Sequence, residues 1–234
     1  MADYTLAQIE AFEKISTATL TTVLLKMGLK NIWIRGSFPL SNDQARVAGP
    51  AFTLRFIPAR EDLATPASWS SPVSTRSAIE QMPNGCIAVI GADGCTDAGV
   101  FGDILCQRMQ ERKVSGMITD GVVRDLEGVL QTKLSVWAAG TSAPPSVAGL
   151  TFVNWQEPIG CGSVAVMPGD LIVADKDGAV VVPIKLVPEV LSKSIEQENL
   201  EEWIMEQVQH GASLPGLYPP NEENLLRYEK AKKQ

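Results

Sequence analysis

A chain of 234 residues that is 45% hydrophobic and 20% charged can bury a full core, and fits one large domain or two small ones. It has no run of about 18 apolar residues and no basic start followed by an apolar stretch, so neither a membrane span nor a secretion signal is expected, and the location expected is cytoplasmic. A formal net charge of -7 disfavours nucleic acid as a partner, and four cysteines without a C-x-x-C pair read as reduced thiols rather than a disulfide scaffold.

From Leu6 to Met27, the residues Ile9, Phe12, Ile15, Leu20, Val23 and Leu24 recur at helical spacing, and Gly28 is a natural stop, which predicts one or two amphipathic helices. Asn31 to Pro50 is polar and rich in Gly and Pro, and reads as a connector. Ala51 to Phe56 then alternates as a strand. The Ser-, Pro- and Thr-rich piece from Ala64 to Arg76 reads as a solvated loop. A helix from about Ser74 to Met82 leads to the buried strand Cys86 to Ile90. A glycine-rich turn from Gly91 to Gly102, a helix opening at Asp103 and running from Ile104 to Lys113, and a strand from Gly116 to Thr119 complete a βαβ unit.

Further strands are expected at Ser135 to Ala139, Ser163 to Val166, Leu171 to Ala174 and Ala179 to Val182. The last two are joined by Asp175-Lys-Asp-Gly178, a hairpin signal, and Pro168-Gly169-Asp170 marks another tight turn. Beyond Pro183 the pattern is helical through Gln209, and Leu214 to Gln234 reads as an arm or small terminal helix. The domain expected is therefore residues 1–234 as one unit, with a helical segment over 1–30 and a C-terminal helix and arm over 184–234.

The single histidine, His210, sits just before Gly211 and reads as an exposed or helix-capping residue, which excludes zinc chemistry built on several histidines. Any metal must be held by oxygen, which favours Mg²⁺ or Mn²⁺. The turn from Gly91 to Gly102 carries neither a Walker motif nor a dinucleotide fingerprint. If the two strands of the βαβ unit lie parallel and adjacent, the crossover brings that turn and Arg124-Asp125 to one sheet edge, where open α/β sheets collect ligands. The backbone N–H groups from Gly102 to Leu105 would then open a helix with no intrahelical partners, a seat for a carboxylate. Taken singly, Asp103 reads as a helix cap and Arg124-Asp125 as a surface ion pair. Together they can bind a 2-oxo acid, ligate a metal and stabilise an enolate.

The spacing Gly102-Asp103, twenty residues, Arg124-Asp125 resembles the D-x20-R-D signature of the class II pyruvate aldolases typified by 4-hydroxy-4-methyl-2-oxoglutarate / 4-carboxy-4-hydroxy-2-oxoadipate aldolase, a family that shares its fold with the regulator of ribonuclease E activity. ITDGVVRD at Ile118 to Asp125 and PIGCGSVAVMPGDLIVADKDGAVVVP at Pro158 to Pro183 add to the likeness, which runs from about Thr17 to Tyr218. The resemblance implies an α-β-β-α sandwich of the swivelling β/β/α type, a homotrimer or homohexamer, and active sites between subunits. Carried over, Asp125 would ligate Mg²⁺ or Mn²⁺, Asp103 would hold water on that metal, and Arg124 would stabilise the enolate. The N–H groups of Ile104 and Leu105 would receive the pyruvyl carboxylate, and Glu201 or Glu202 would reach the site across an interface. The activity implied is retro-aldol cleavage of a 4-hydroxy-2-oxo acid to pyruvate, with oxaloacetate decarboxylation through the same enolate. The alternatives are an aldolase or dehydratase of a sugar-derived 3-deoxy-2-oxo acid, and a non-catalytic ribonuclease E inhibitor.

Overall fold

Residues 4–232 are described by a computed structural model. Two helices open it, α1 (Leu6–Phe12) and α2 (Thr17–Lys26), rather than one continuous helix. The break is chemical: the hydroxyl of Ser16 accepts from the N–H of Thr19, starting a new helix as Thr5 does for the first. The expected connector contains two short strands, β1 (Trp33–Ile34) and β2 (Phe38–Pro39), and the following strand β3 (Val47–Pro58) is twice the length read from alternation.

A 3₁₀ turn (Pro66–Ser70) and α3 (Thr75–Gln81) lead to β4 (Ile87–Gly91), α4 (Asp103–Glu111), β5 (Gly116–Thr119), α5 (Leu126–Gln131) and β6 (Val136–Ala138). A second 3₁₀ turn (Ser146–Ala148) precedes β7 (Leu150–Trp155), β8 (Ile159–Cys161), β9 (Val164–Val166), β10 (Leu171–Asp175) and β11 (Gly178–Val182). The chain then closes through a 3₁₀ turn (Ile184–Leu186) with α6 (Val187–Gln209) and α7 (Glu222–Ala231).

The length of β3 follows from its three neighbours. Val47–Pro50 pairs antiparallel with β10, Ala51–Arg55 runs parallel to β4, and Leu54–Pro58 pairs antiparallel with β7. The strand order is β1-β11-β10-β3-β4-β5-β6-β2 with β7 branching from β3, and β8 and β9 form a separate hairpin.

Side-chain alternation then sorts the strands into layers. Ala88 and Ile90 of β4 point into the core beneath α3, α4 and α5. Ile87 and Val89 point the other way, into a second core shared with Ile172 and Ala174 of β10, Ala179 and Val181 of β11, and the β8–β9 hairpin. Leu171, Val173, Val180 and Val182 face a third core under α1, α2 and α6. The order helices, sheet, sheet, helices is the expected α-β-β-α sandwich. Burial on both faces is why IAVI, LIVA and AVVV read as continuous apolar runs.

The β10–β11 hairpin also anchors the N-terminal helices. Its corner pair is Asp175 opposite Gly178, and the Asp175 carboxylate accepts from the N–H and the hydroxyl of Thr17 at 2.9 and 2.6 Å. Below that cap Phe12, Leu20 and Leu24 are fully buried, each contributing roughly 1.5–3 kcal/mol.

Candidate active site

Strands β4 and β5 pair parallel from Ile87 opposite Gly116 to Ile90 opposite Thr119, so the loops that follow them leave from one edge. Those loops continue the pairing beyond the strands. Val100 N–H donates to the Val122 carbonyl at 2.8 Å, Arg124 N–H to the Phe101 carbonyl at 2.9 Å, and Val123 N–H to the Gly140 carbonyl at 3.1 Å. Asp120, the first residue after β5, fastens the layers at this edge. Its carboxylate accepts from Ala92 N–H at 2.7 Å, Gly94 N–H at 3.3 Å and Gly162 N–H at 3.0 Å. It thus ties the loop after β4 to the β8–β9 turn.

Two helix starts converge here. Gly102 caps α4 without a side chain, and the first bond of that helix runs from Cys106 N–H to the Gly102 carbonyl at 3.1 Å. The N–H groups of Asp103, Ile104 and Leu105 therefore lie ahead of the helical ladder. Asp125 caps α5 in the left-handed region, at φ 53° and ψ 48°, a conformation that a short polar side chain tolerates and that clusters at functional sites. A Cβ on Gly102 would stand 2.6 Å from Asp125 Oδ2, and one on Gly128 would stand 2.6 Å from Asp103 Cβ. Glycine at both positions is what lets the two helix starts and their carboxylates approach so closely.

Arg124 Nε donates to Asp125 Oδ2 at 3.0 Å, and both side chains are partly open to solvent. An exposed pair of this kind adds little stability, so ligand can compete for either member. They open onto a cavity of about 260 Å³ whose wall includes Gly102, Asp103, Ile104, Leu105, Arg124 and Asp125. Six residues singled out in the sequence thus share one site. A larger groove of about 450 Å³ lies against α2 and β1, but its lining pairs Lys30 and Arg35 with a single carboxylate, Asp177.

One expectation meets a different geometry, and another concerns residues outside this chain's own cavity. The N–H of Ile104 is taken by Asp103 Oδ1 at 2.7 Å, so of the two amides expected to hold a carboxylate, one is satisfied internally. Glu201 and Glu202 belong to α6, which packs on α2 in the opposite outer layer, and neither lines the cavity. Glu201 instead accepts from Gln197 Nε2 at 2.7 Å. Either glutamate can serve this site only from a second copy of the chain.

Three further wall residues are Trp69 in the first 3₁₀ turn and Arg76 at the start of α3, both in the piece read as a solvated loop, and Ser146 in the second turn. The stretch from Ala64 to Arg76 is therefore not simply solvated. Asp103 and Asp125 are the carboxylates on the wall, and among the described residues no group of three or more His, Cys, Asp or Glu side chains is gathered for a metal.

Fold and site together define a mixed α/β single-domain protein, helical at both ends, with an arginine and two carboxylates in a cavity at the C-terminal edge of its parallel strands. Residues 17–181 match the family described as RraA-like: Aldolase/RraA, and the chain belongs to that family. It is similar to DlpA of Legionella pneumophila, 30% identical over 75% of this chain, although the match spans only 28% of DlpA's length. A Halalkalibacterium halodurans protein provisionally named 4-hydroxy-4-methyl-2-oxoglutarate aldolase is 28% identical over 83% of this chain and 85% of its own. Among solved structures, RraAS2 of Streptomyces coelicolor, described as an unusual member of the RNase ES inhibitor RraA protein family, superposes with a TM-score of 0.79 at 29% identity, covering 87% of this chain and 98% of its own. An uncharacterized Pseudomonas syringae protein gives a TM-score of 0.80 at 25% identity over 93% of this chain and 100% of its own. No helix among the described residues is long and apolar enough to cross a membrane.

Proposed function

We propose that the chain is a divalent-metal-dependent lyase that cleaves a 4-hydroxy-2-oxo acid to pyruvate by a retro-aldol reaction and decarboxylates oxaloacetate through the same enolate. The observation that carries this reading is the convergence of the α4 start, Arg124 and the carboxylates of Asp103 and Asp125 on one cavity. A divalent cation such as Mg²⁺ or Mn²⁺ suits the donor set. Asp125 Oδ2 faces the space left by the missing Gly102 side chain, and Asp125 with Asp103 supplies the one or two hard oxygen donors that such ions take beside water and substrate. When bound, the cation supplies Lewis-acid polarisation of the 2-oxo group.

The protein's own groups account for the remaining steps. The free Leu105 N–H, with that of Ile104 once Asp103 turns away, holds the pyruvyl carboxylate at the positive end of α4. A base takes the proton of the 4-hydroxyl, the C3–C4 bond breaks, and its electron pair passes to C3 and on to the 2-oxo oxygen. Arg124 donates to that oxygen as its charge develops, and a preorganised donor of this kind contributes about 3–4 kcal/mol. Asp103 positions the water that relays the proton and returns one to C3, with Glu201 or Glu202 of a neighbouring copy as its partner. Active sites between subunits, in a homotrimer or homohexamer, go with that arrangement.

An inhibitor of a ribonuclease has no chemical need for this set, so the catalytic reading ranks above it. The test is pyruvate release from oxaloacetate and from 4-hydroxy-4-methyl-2-oxoglutarate, with Mg²⁺, with Mn²⁺ and with EDTA, corrected for metal-only decarboxylation. Release that needs metal and vanishes in Asp125→Ala is expected. Release from neither compound would overturn the assignment.

A further inference from the structure

The groove between α2 and β1 encloses about 450 Å³, within the roughly 300–1,000 Å³ typical of small-molecule sites. It shares no wall residue with the cavity of Arg124 and Asp125, and the enolate chemistry gives it nothing to do. One part of its wall is apolar, formed by Leu25, Leu29 and Trp33, and Leu25 is 54% exposed. The Trp33 ring is fixed there. Its Nε1 donates to the Asp177 carbonyl at 3.1 Å, and the hairpin leaves room for it with Gly178, where a Cβ would stand 2.6 Å from that nitrogen.

Another part of the wall is cationic, with Lys30 and Arg35 in a chain whose net charge is -7. Both are exposed, so it is their placement, rather than any loss of water, that marks the groove. Arg35 Nη1 donates to Asn31 Oδ1 at 2.7 Å, and Asn31 Nδ2 in turn donates to the Ser163 carbonyl at 2.6 Å. The backbone N–H of Arg35 donates to the Gly162 carbonyl at 3.3 Å. The guanidinium is thus tied to the β8–β9 turn through its backbone and its side chain. The groove also holds one carboxylate, Asp177. Among the described residues no ion pair includes Lys30, Arg35 or Asp177.

We propose that this groove binds a nucleoside monophosphate, with the phosphate on Lys30 and Arg35, the base against Trp33 and Leu25, and the ribose hydroxyls on Asp177. Each part of the wall matches one part of that molecule. A phosphate dianion answers two cations, the arginine through paired N–H donors and the lysine as a point charge. A base offers the flat face on which an indole stacks. A carboxylate repels phosphate but accepts from hydroxyls, and a ribose supplies them. Inorganic phosphate alone would leave both the apolar wall and Asp177 unanswered.

Isothermal titration calorimetry of the intact protein with AMP, with inorganic phosphate and with adenosine tests this. AMP should bind with a Kd of about 10–100 µM, and phosphate and adenosine each at least roughly 10-fold more weakly. Lys30→Gln and Arg35→Gln should each weaken AMP roughly 10-fold or more. Leu25→Asp, at an exposed position where folding tolerates a charge, should abolish binding. Arg124→Ala should leave AMP binding unchanged, which separates this groove from the cavity of the enolate chemistry. No heat from AMP at about 1 mM, phosphate or adenosine binding as tightly as AMP, or a loss of AMP binding in Arg124→Ala but not in Leu25→Asp would overturn the proposal.

Discussion

Gly128→Ala perturbs the packing of α4 against α5 without adding or removing a charge in the site. Gly128 lies inside α5, where alanine is intrinsically better than glycine by about 1 kcal/mol. On propensity alone the substitution stabilises. The structure opposes it, because the new Cβ would lie 2.6 Å from Asp103 Cβ and 2.7 Å from Asp103 Oδ2, whereas ordinary contact begins at 3.4 Å. Rotating the Asp103 side chain cannot relieve the first contact, since a Cβ moves only with its backbone. The helix starts must therefore part by close to the difference, about 0.8 Å, and overpacking of this kind costs about 1–3 kcal/mol. Clash exceeds propensity, so the melting temperature should fall by a few degrees, at about 2–4 °C per kcal/mol for a chain of this size. A misplacement approaching 1 Å at the reacting groups costs up to about 100-fold in rate, so turnover should fall far more than stability. Differential scanning calorimetry and a coupled pyruvate assay read the two effects. A higher melting temperature with unchanged turnover would refute the geometry of this contact.

Other predictions concern the frame and the thiols. Asp120→Ala strands the N–H groups of Ala92, Gly94 and Gly162, and should cost about 2–4 kcal/mol of stability as read by the urea midpoint; a midpoint unchanged from wild type would remove Asp120 from the frame. Burial pushes the thiols of Cys86 and Cys106 up to about 12 from an ordinary 9.0. Because these folded values are raised, their contribution to stability is complete below pH 9 and is lost as the pH climbs towards 12. At pH 8 a disulfide-exchange dye should therefore titrate one thiol quickly in the native chain, that of half-buried Cys95, and all four only after unfolding; three or four fast thiols would contradict the packing.

What was legible in the sequence depended on how far each signal extends along the chain. The continuous apolar runs at Cys86 to Ile90, Leu171 to Ala174 and Ala179 to Val182, and the Asp-Gly corner at residue 178, are local patterns long enough to specify strands and a hairpin, whereas the sandwich that assembles them came from the family resemblance. Strands β1 and β2 have two residues each, a single period of alternation and too short to show a repeat, so a polar, Gly- and Pro-containing stretch masked them. Helix α5, six residues long, was missed because its start is an aspartate in a left-handed turn rather than a standard cap.

At the site, the parallel pairing of β4 and β5 made it possible to foresee that Asp103, Arg124 and Asp125 share an edge. The contribution of Trp69 and Arg76 was not foreseeable, because it depends on where a Ser- and Pro-rich loop folds back.

The most direct test of enolate chemistry in this cavity uses neither a natural substrate nor its unknown distal group. Pyruvate is incubated in D₂O with Mg²⁺ and the protein, and loss of its methyl proton signal is followed by NMR. Exchange that exceeds the metal-only rate, stops with EDTA, and falls by at least about 100-fold in Arg124→Ala is the predicted result. No exchange above the metal-only rate, or full exchange in Arg124→Ala, would contradict the assignment of this site.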